Sequence, residues 1–256
     1  MRGMVERLTA MFVIATVSLA VPLQASVVVT IGQSWDGPGK SLQSIVDGLY
    51  GAGRIDVSNG YVGAKDGDLD PWFWVEGEFS ALIVREVAGN ANANQLGWYE
   101  ETGSMPMLLN DGVHDGLLFD GAARAGTTAI LAFAKPMTRF GLYLNPNGPL
   151  GATNAPEPEK FFSNRLFNDA GPDRSGALHS PTGGDMQALV FDLSNIKGAN
   201  TWLVCFEDLD AGAMPGPACQ SQTDNDYNDF IFEVKAYGAM PVKALSFGGF
   251  KAKYIR

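Results

Sequence analysis

Two apolar runs, Trp202–Phe206 and Phe230–Val234, enclose a segment dense in acidic side chains. No other stretch constrains the fold as tightly. Trp202, Val204 and Phe206 alternate with Leu203, Cys205 and Glu207, the two-residue period of a half-buried strand. The chain then passes through Glu207 and Asp208, crosses a Gly/Pro-rich excursion over Ala211–Cys219, and returns through Asp224–Asp229 into Phe230-Ile231-Phe232-Glu233-Val234. Paired strands would bring two groups of oxygen ligands to facing ends.

Calcium takes six to eight oxygens from carboxylates, amides and carbonyls. Glu207, Asp208, Asp224, Asp226, Asn228 and Asp229 supply such oxygens within one strand–loop–strand unit. Carboxylates at this density repel one another unless a cation neutralises them. The expected cofactor is therefore calcium, bound with an extracellular-type Kd of roughly 10⁻⁴–10⁻³ M. The competing reading is a solvated loop whose Asp and Asn side chains only cap turns. In an extended backbone, Asp224, Asp226 and Asn228 share one face and Asp229 takes the other. A second acidic run, Asp66-Gly67-Asp68-Leu69-Asp70, opens like a calcium loop but has Pro71 where an EF-hand needs glycine, so a turn is the better reading.

The same residues carry a resemblance. Phe206-Glu207-Asp208 followed by Asp224–Asp229 and Phe230–Val234 resembles the signature of a family of exported bacterial domains of unknown function, many of them in PEP-CTERM-sorted proteins. The segment Val87–Tyr99, reading VAGNANANQLGWY, is similar to an AGxANxNxxGxY element of the same proteins. The resemblance implies a β-rich, exported, calcium-associated domain with no known enzymatic activity.

Export is also legible in the N-terminus. Arg2 and Arg7 precede an apolar run over Leu8–Val21, and small residues end at Ala25, the pattern of a secretory signal peptide over 1–25. One domain is expected over 26–237, followed by a basic tail over 238–256 with Lys243, Lys251, Lys253 and Arg256. Pro156-Glu157-Pro158 precedes no spanning segment and is read as chance, so no stable transmembrane anchor is expected after signal cleavage. The expected location is periplasmic, extracellular or at the cell surface. An exported chain can keep a disulfide, and Cys205 and Cys219 bracket the loop between the two acidic clusters. Their bridge would contribute about 3 kcal/mol. The alternative is a buried Cys205 with an unrelated loop thiol.

Ser41 caps a helix in which Leu42, Ile45, Val46 and Leu49 share one face. Elsewhere short strands alternate with turn signals. Strands are expected at Val27–Ile31, weakly at Ile55–Tyr61, at Trp72–Val75, Phe79–Val87, Leu96–Tyr99, Met105–Leu109, Leu117–Phe119, Thr127–Phe133, Thr138–Leu144 and Gln187–Leu193. Hairpins are expected across Glu76-Gly77-Glu78 and across Lys135-Pro136. The pattern predicts an all-β, antiparallel, jelly-roll-like sandwich with one short N-terminal helix.

The formal net charge of −10 disfavours nucleic acid as a partner, because phosphate repels an acidic surface. His114 and His179 have no nucleophile-elbow Ser to serve, and two His with two Cys show no zinc spacing. Glu76 with Glu78, or Glu100 with Glu101, are adjacent carboxylates whose separation across a glycosidic bond the sequence does not establish. A non-enzymatic structural or adhesive role is therefore expected, with an extracellular polysaccharide or a surface protein as partner. A lectin-like module would instead use Trp72, Trp74 or Trp98 as a stacking platform, and a secreted hydrolase ranks below both.

Overall fold

A computed structural model describes residues 31, 34, 36–64, 73–75, 78–87, 93–133, 138–146, 160–164, 167–168, 186–208 and 225–237. The signal segment, most of the strand expected at Val27–Ile31, the Asp66–Asp70 run, Asn90, Asn92, Pro156–Pro158, His179 and the tail lie outside these residues.

Among the described residues the chain folds into two five-stranded antiparallel sheets. The first contains β2 (Glu78–Glu86), β5 (Thr128–Ala132), β8 (Ala188–Asp192), β9 (Thr201–Phe206) and β10 (Phe230–Tyr237), in the order β5-β2-β10-β9-β8. The second contains β1 (Phe73–Val75), β3 (Gln95–Glu100), β4 (Asp115–Phe119), β6 (Thr138–Asn145) and β7 (Phe161–Phe162), in the order β1-β6-β3-β4, with β7 also on β6. The expected antiparallel sandwich is present.

Alternation explains the core. Phe79, Ala81 and Ile83 of β2 face Leu96 and Trp98 of β3 and Phe140, Leu142 and Leu144 of β6 within one buried cluster. Phe140 lies between the sheets, its ring stacked on Phe73 at 5.5 Å and on Phe79 at 4.7 Å. Such aromatic pairs contribute roughly 0.5–1.5 kcal/mol beyond the area they bury.

The outer face of the first sheet is also covered. Helix α1 (Leu42–Tyr50) begins as expected at Ser41, whose hydroxyl accepts from Ser44 N. It buries Leu42, Ile45, Val46 and Tyr50 against Leu189, Leu203, Cys205 and Ile231. Every residue of β9 is therefore buried, and the half-buried reading of that strand is corrected by this helical layer. On the outer face of the second sheet, Tyr99, Tyr143, Phe162 and Phe167 form a separate aromatic cluster. A short helix, α2 (Ser194–Lys197), links β8 to β9.

Four local expectations change. β1 and β2 lie in different sheets and do not pair as the expected hairpin. The same holds for β5 and β6. Ile55–Tyr61 forms turns with one bridge, Tyr61 to Phe191. Met105–Leu109 forms no strand, and at its end the Asp115 carboxylate gathers the backbone N–H groups of Leu109, Asn110 and Asp111. A loop wrapped on one carboxylate satisfies its donors without a ladder.

Candidate metal centre at the strand ends

Three strand ends meet in the first sheet. Phe206 of β9 is in register with Phe230 of β10, and Phe230 is in register with Glu86 of β2. Glu207 N donates to Gln187 O at 3.0 Å, and Val87 N donates to Asp229 O at 3.2 Å. These bonds carry the ladder one residue past the strands and fix Glu207 and Asp229 side by side.

The returning loop is not extended. Asn225 and Tyr227 have φ of 53° and 55°, in the left-handed region. Asn tolerates that region, but for Tyr it costs about 1–2 kcal/mol. Packing and hydrogen bonds hold Tyr227 there. Its ring is buried beneath α1, its hydroxyl donates to Met186 O at 2.9 Å, and its N–H donates to Glu207 Oε2 at 3.3 Å. Asp226 Oδ1 accepts from Asn228 N at 3.0 Å, an Asx turn.

This curl brings Asp226 back toward the strand ends. Glu207, Asp226 and Asp229 each offer a carboxylate oxygen, and these oxygens lie within 4.8 Å of one another. The residues are 0%, 1% and 7% exposed. Asp229 also accepts from Asp208 N at 2.8 Å. Burial, with the charges of Asp208 and Glu207 and a smaller push from Asp226, raises the Asp229 carboxyl well above the usual carboxylate range against the opposing Asp208 N–H bond. Asn228 lies against the trio. Its Nδ2 donates to Lys40 O at 2.7 Å, to Ser34 Oγ at 3.0 Å and to Asp226 Oδ2. Its buried Oδ1 accepts no hydrogen bond.

The six expected ligands therefore separate. Glu207, Asp226 and Asp229 come together, with Asn228 beside them. The alternation that set Asp229 apart fails because the backbone turns at Tyr227. Asp208 instead accepts from Asn94 Nδ2 at 3.2 Å. Asp224 lies outside the described residues. Sequence reasoning missed Tyr227 as the loop's anchor, and it missed Glu86 and Asn94. Asn94 did carry a signal, since it belongs to the VAGNANANQLGWY element, and its bond to Asp208 joins the two resembling motifs in space.

The other expected sites change. Cys205 is a free thiol, fully buried beneath α1, with burial raising its pKa well above the usual value. Its side chain belongs to the core cluster under the helix, so it takes no part in the expected bridge to Cys219, which lies outside the described residues. Trp98 is 2% exposed and packs edge-on to Phe133 at 4.9 Å, so it offers no platform to a sugar. Trp72 and the side chain of Trp74 lie outside the description. Glu101 is buried, accepting from Gly103 N at 2.7 Å and Asn164 Nδ2 at 3.2 Å, while His114 is exposed and pairs with Asp111 at 2.9 Å. Among the described residues no helix is long and apolar enough to cross a membrane.

No curated protein and no solved structure matches the chain. Residues 134–237, the span that holds β6 to β10 and the carboxylate trio but not the Val87–Tyr99 element, match the family model described as Domain of unknown function (DUF4114).

Proposed function

We propose that the chain is an exported, non-enzymatic β-sandwich stabilised by calcium, with a structural or adhesive role at the cell surface or in the extracellular matrix. The convergence of Glu207, Asp226 and Asp229 carries this reading. The trio has only oxygen donors, the preference of a hard cation rather than of zinc or copper. The buried Asn228 Oδ1, which accepts no hydrogen bond, adds a neutral oxygen beside the trio. Bound there, calcium would tie the end of β9 to the start of β10 and hold the loop between them. The partner would be an extracellular polysaccharide or a surface protein.

The test is thermal unfolding of the purified chain in chelator and then in calcium chloride, beside Asp226→Asn. A site with Kd of about 10⁻⁴ M stabilises the fold by roughly 2.7 kcal/mol at ~10 mM calcium. That corresponds to a rise in Tm on the order of 5–10 °C for a chain of this size. Asp226→Asn should lose most of the rise. An equal Tm with and without calcium, in parent and variant alike, would overturn the site.

A further inference from the structure

We infer that the chain carries a second divalent-cation site, formed by Glu86, Asn94 and Asp208 on the sandwich side of the same strand ends. This inference rests on residues other than the Glu207–Asp226–Asp229 trio and goes beyond the function proposed above.

Register supplies the first argument. Phe206, Phe230 and Glu86 are cross-strand partners, so their side chains leave the same face of the sheet. Phe206 and Phe230 point into the core between the sheets, which places Glu86 at the rim of that core. Asp208, two residues beyond Phe206, continues on that face. Asn94 comes from the opposite sheet, two residues before the core residue Leu96. The three side chains therefore close one end of the sandwich from both sheets, and Asn94 Nδ2 donates to Asp208 Oδ2 at 3.2 Å.

Hydrogen bonding supplies the second. Asn94 is 1% exposed, yet its Oδ1 accepts no hydrogen bond. The buried Oε1 of Glu86 accepts none either. A buried acceptor left without a donor costs about 1–3 kcal/mol. The Glu86 oxygen, beside a further carboxylate, suits a ligand that accepts lone pairs, and the Asn94 oxygen on the other arm of the amide lacks a donor to hold it where it is. The donor set is two carboxylates and an amide oxygen, which fits calcium. An ion seated between the carboxylates would turn the Asn94 amide over, so that Oδ1 replaces Nδ2. Burial raises the Glu86 carboxyl to about 7, with Asp208 adding to the rise and Arg124 and the Asn94 amide opposing it. The Asp208 N–H to Asp229 Oδ2 bond at 2.8 Å joins this group to the first trio.

Calorimetric titration of the chelator-stripped chain with calcium chloride tests this, with far-UV circular dichroism confirming each variant's fold. The parent should bind two ions. Glu86→Gln and Asn94→Leu should each lose one, and Asp226→Asn should lose the other. A parent that binds one ion, lost in Asp226→Asn and kept in Glu86→Gln, overturns the second site and leaves the proposed function standing. One ion lost only in Glu86→Gln supports the second site and removes the first. Should Asn94→Leu fail to fold, Asn94→Asp decides. It keeps an oxygen and adds charge, so it should bind the second ion more tightly than the parent does, and unchanged affinity overturns the inference.

Discussion

Asn94 and Asp208 stand 114 positions apart, yet one hydrogen bond of 3.2 Å joins them across the end of the sandwich. That bond ties the entry to β3 to the exit from β9, one strand from each sheet. Loop chemistry and sheet packing therefore share residues here, and substitutions can separate the two.

Asn228 couples the acidic loop to the N-terminal helix. Its amide holds Ser34 Oγ and Lys40 O, immediately before α1. Asn228→Ala should destabilise the fold by about 1–3 kcal/mol, the cost of buried groups left without partners. Hydrogen exchange should show faster amide exchange in Leu42–Tyr50 than in the parent. Unchanged exchange in the helix would mean that core packing alone holds α1.

Two tyrosines lie across two glycines between β3 and β6. Gly97 is paired with Tyr143 and Gly141 with Tyr99. A Cβ on Gly97 would come 2.2 Å from the Tyr143 ring, and one on Gly141 would come 2.2 Å from the Tyr99 ring. Gly97→Ala and Gly141→Ala should each cost about 1–3 kcal/mol in urea unfolding, the usual penalty of overpacking. Adding Tyr143→Ala to Gly97→Ala should cost less than the sum of the two single changes. Strict additivity would refute the ring-on-glycine contact.

Tyr143 gives the fold an alkaline limit. Burial, with the charge of Asp115 adding to it, raises the phenol from its ordinary 10.0 to about 12. A raised folded value means the folded state holds the proton longer. The contribution is fully present below about pH 10 and is lost as pH rises through about 12. Tyr143→Phe should lose less stability over that interval in urea unfolding. Parallel losses in parent and variant would count against the shift.

The Cys205 thiol should be inert in the folded chain. It is fully buried and held in its neutral form, while alkylation needs the thiolate. Iodoacetamide at pH 8 should leave the Cys205 peptide unmodified in buffer and modify it in urea, as read by mass spectrometry. Rapid labelling in buffer would show that the α1 layer opens.

Much of this was legible locally. The helix at Ser41, the strands that became β8, β9 and β10, and the antiparallel sandwich all follow from period and capping. Partnership did not. The apolar runs on either side of Glu76-Gly77-Glu78 read as a hairpin because adjacency is the only distance a sequence displays, yet β1 and β2 entered different sheets. Trp98 read as a sugar platform, but only the opposite sheet reveals that its face is inward. Asp229 was set apart by strict alternation, which assumes extended backbone. Tyr227 broke that assumption at φ 55°, where few non-glycine residues go. Met107 lies 77% exposed, in a segment that meets the Asp115 carboxylate at Leu109 and Asn110 instead of joining a sheet.

β10 lies between β2 and β9 rather than at a sheet edge. The last of the described strands is therefore the keystone of its sheet. During synthesis from the N-terminus, β2 and β9 wait with unpaired edges until residues 230–237 emerge. Non-local pairing of this kind slows folding and exposes sticky strand edges along the way. A truncation that removes β10 would split the sheet into halves rather than trim it, because β10 joins β2, which precedes the residues matched by the family model, to β9 within them.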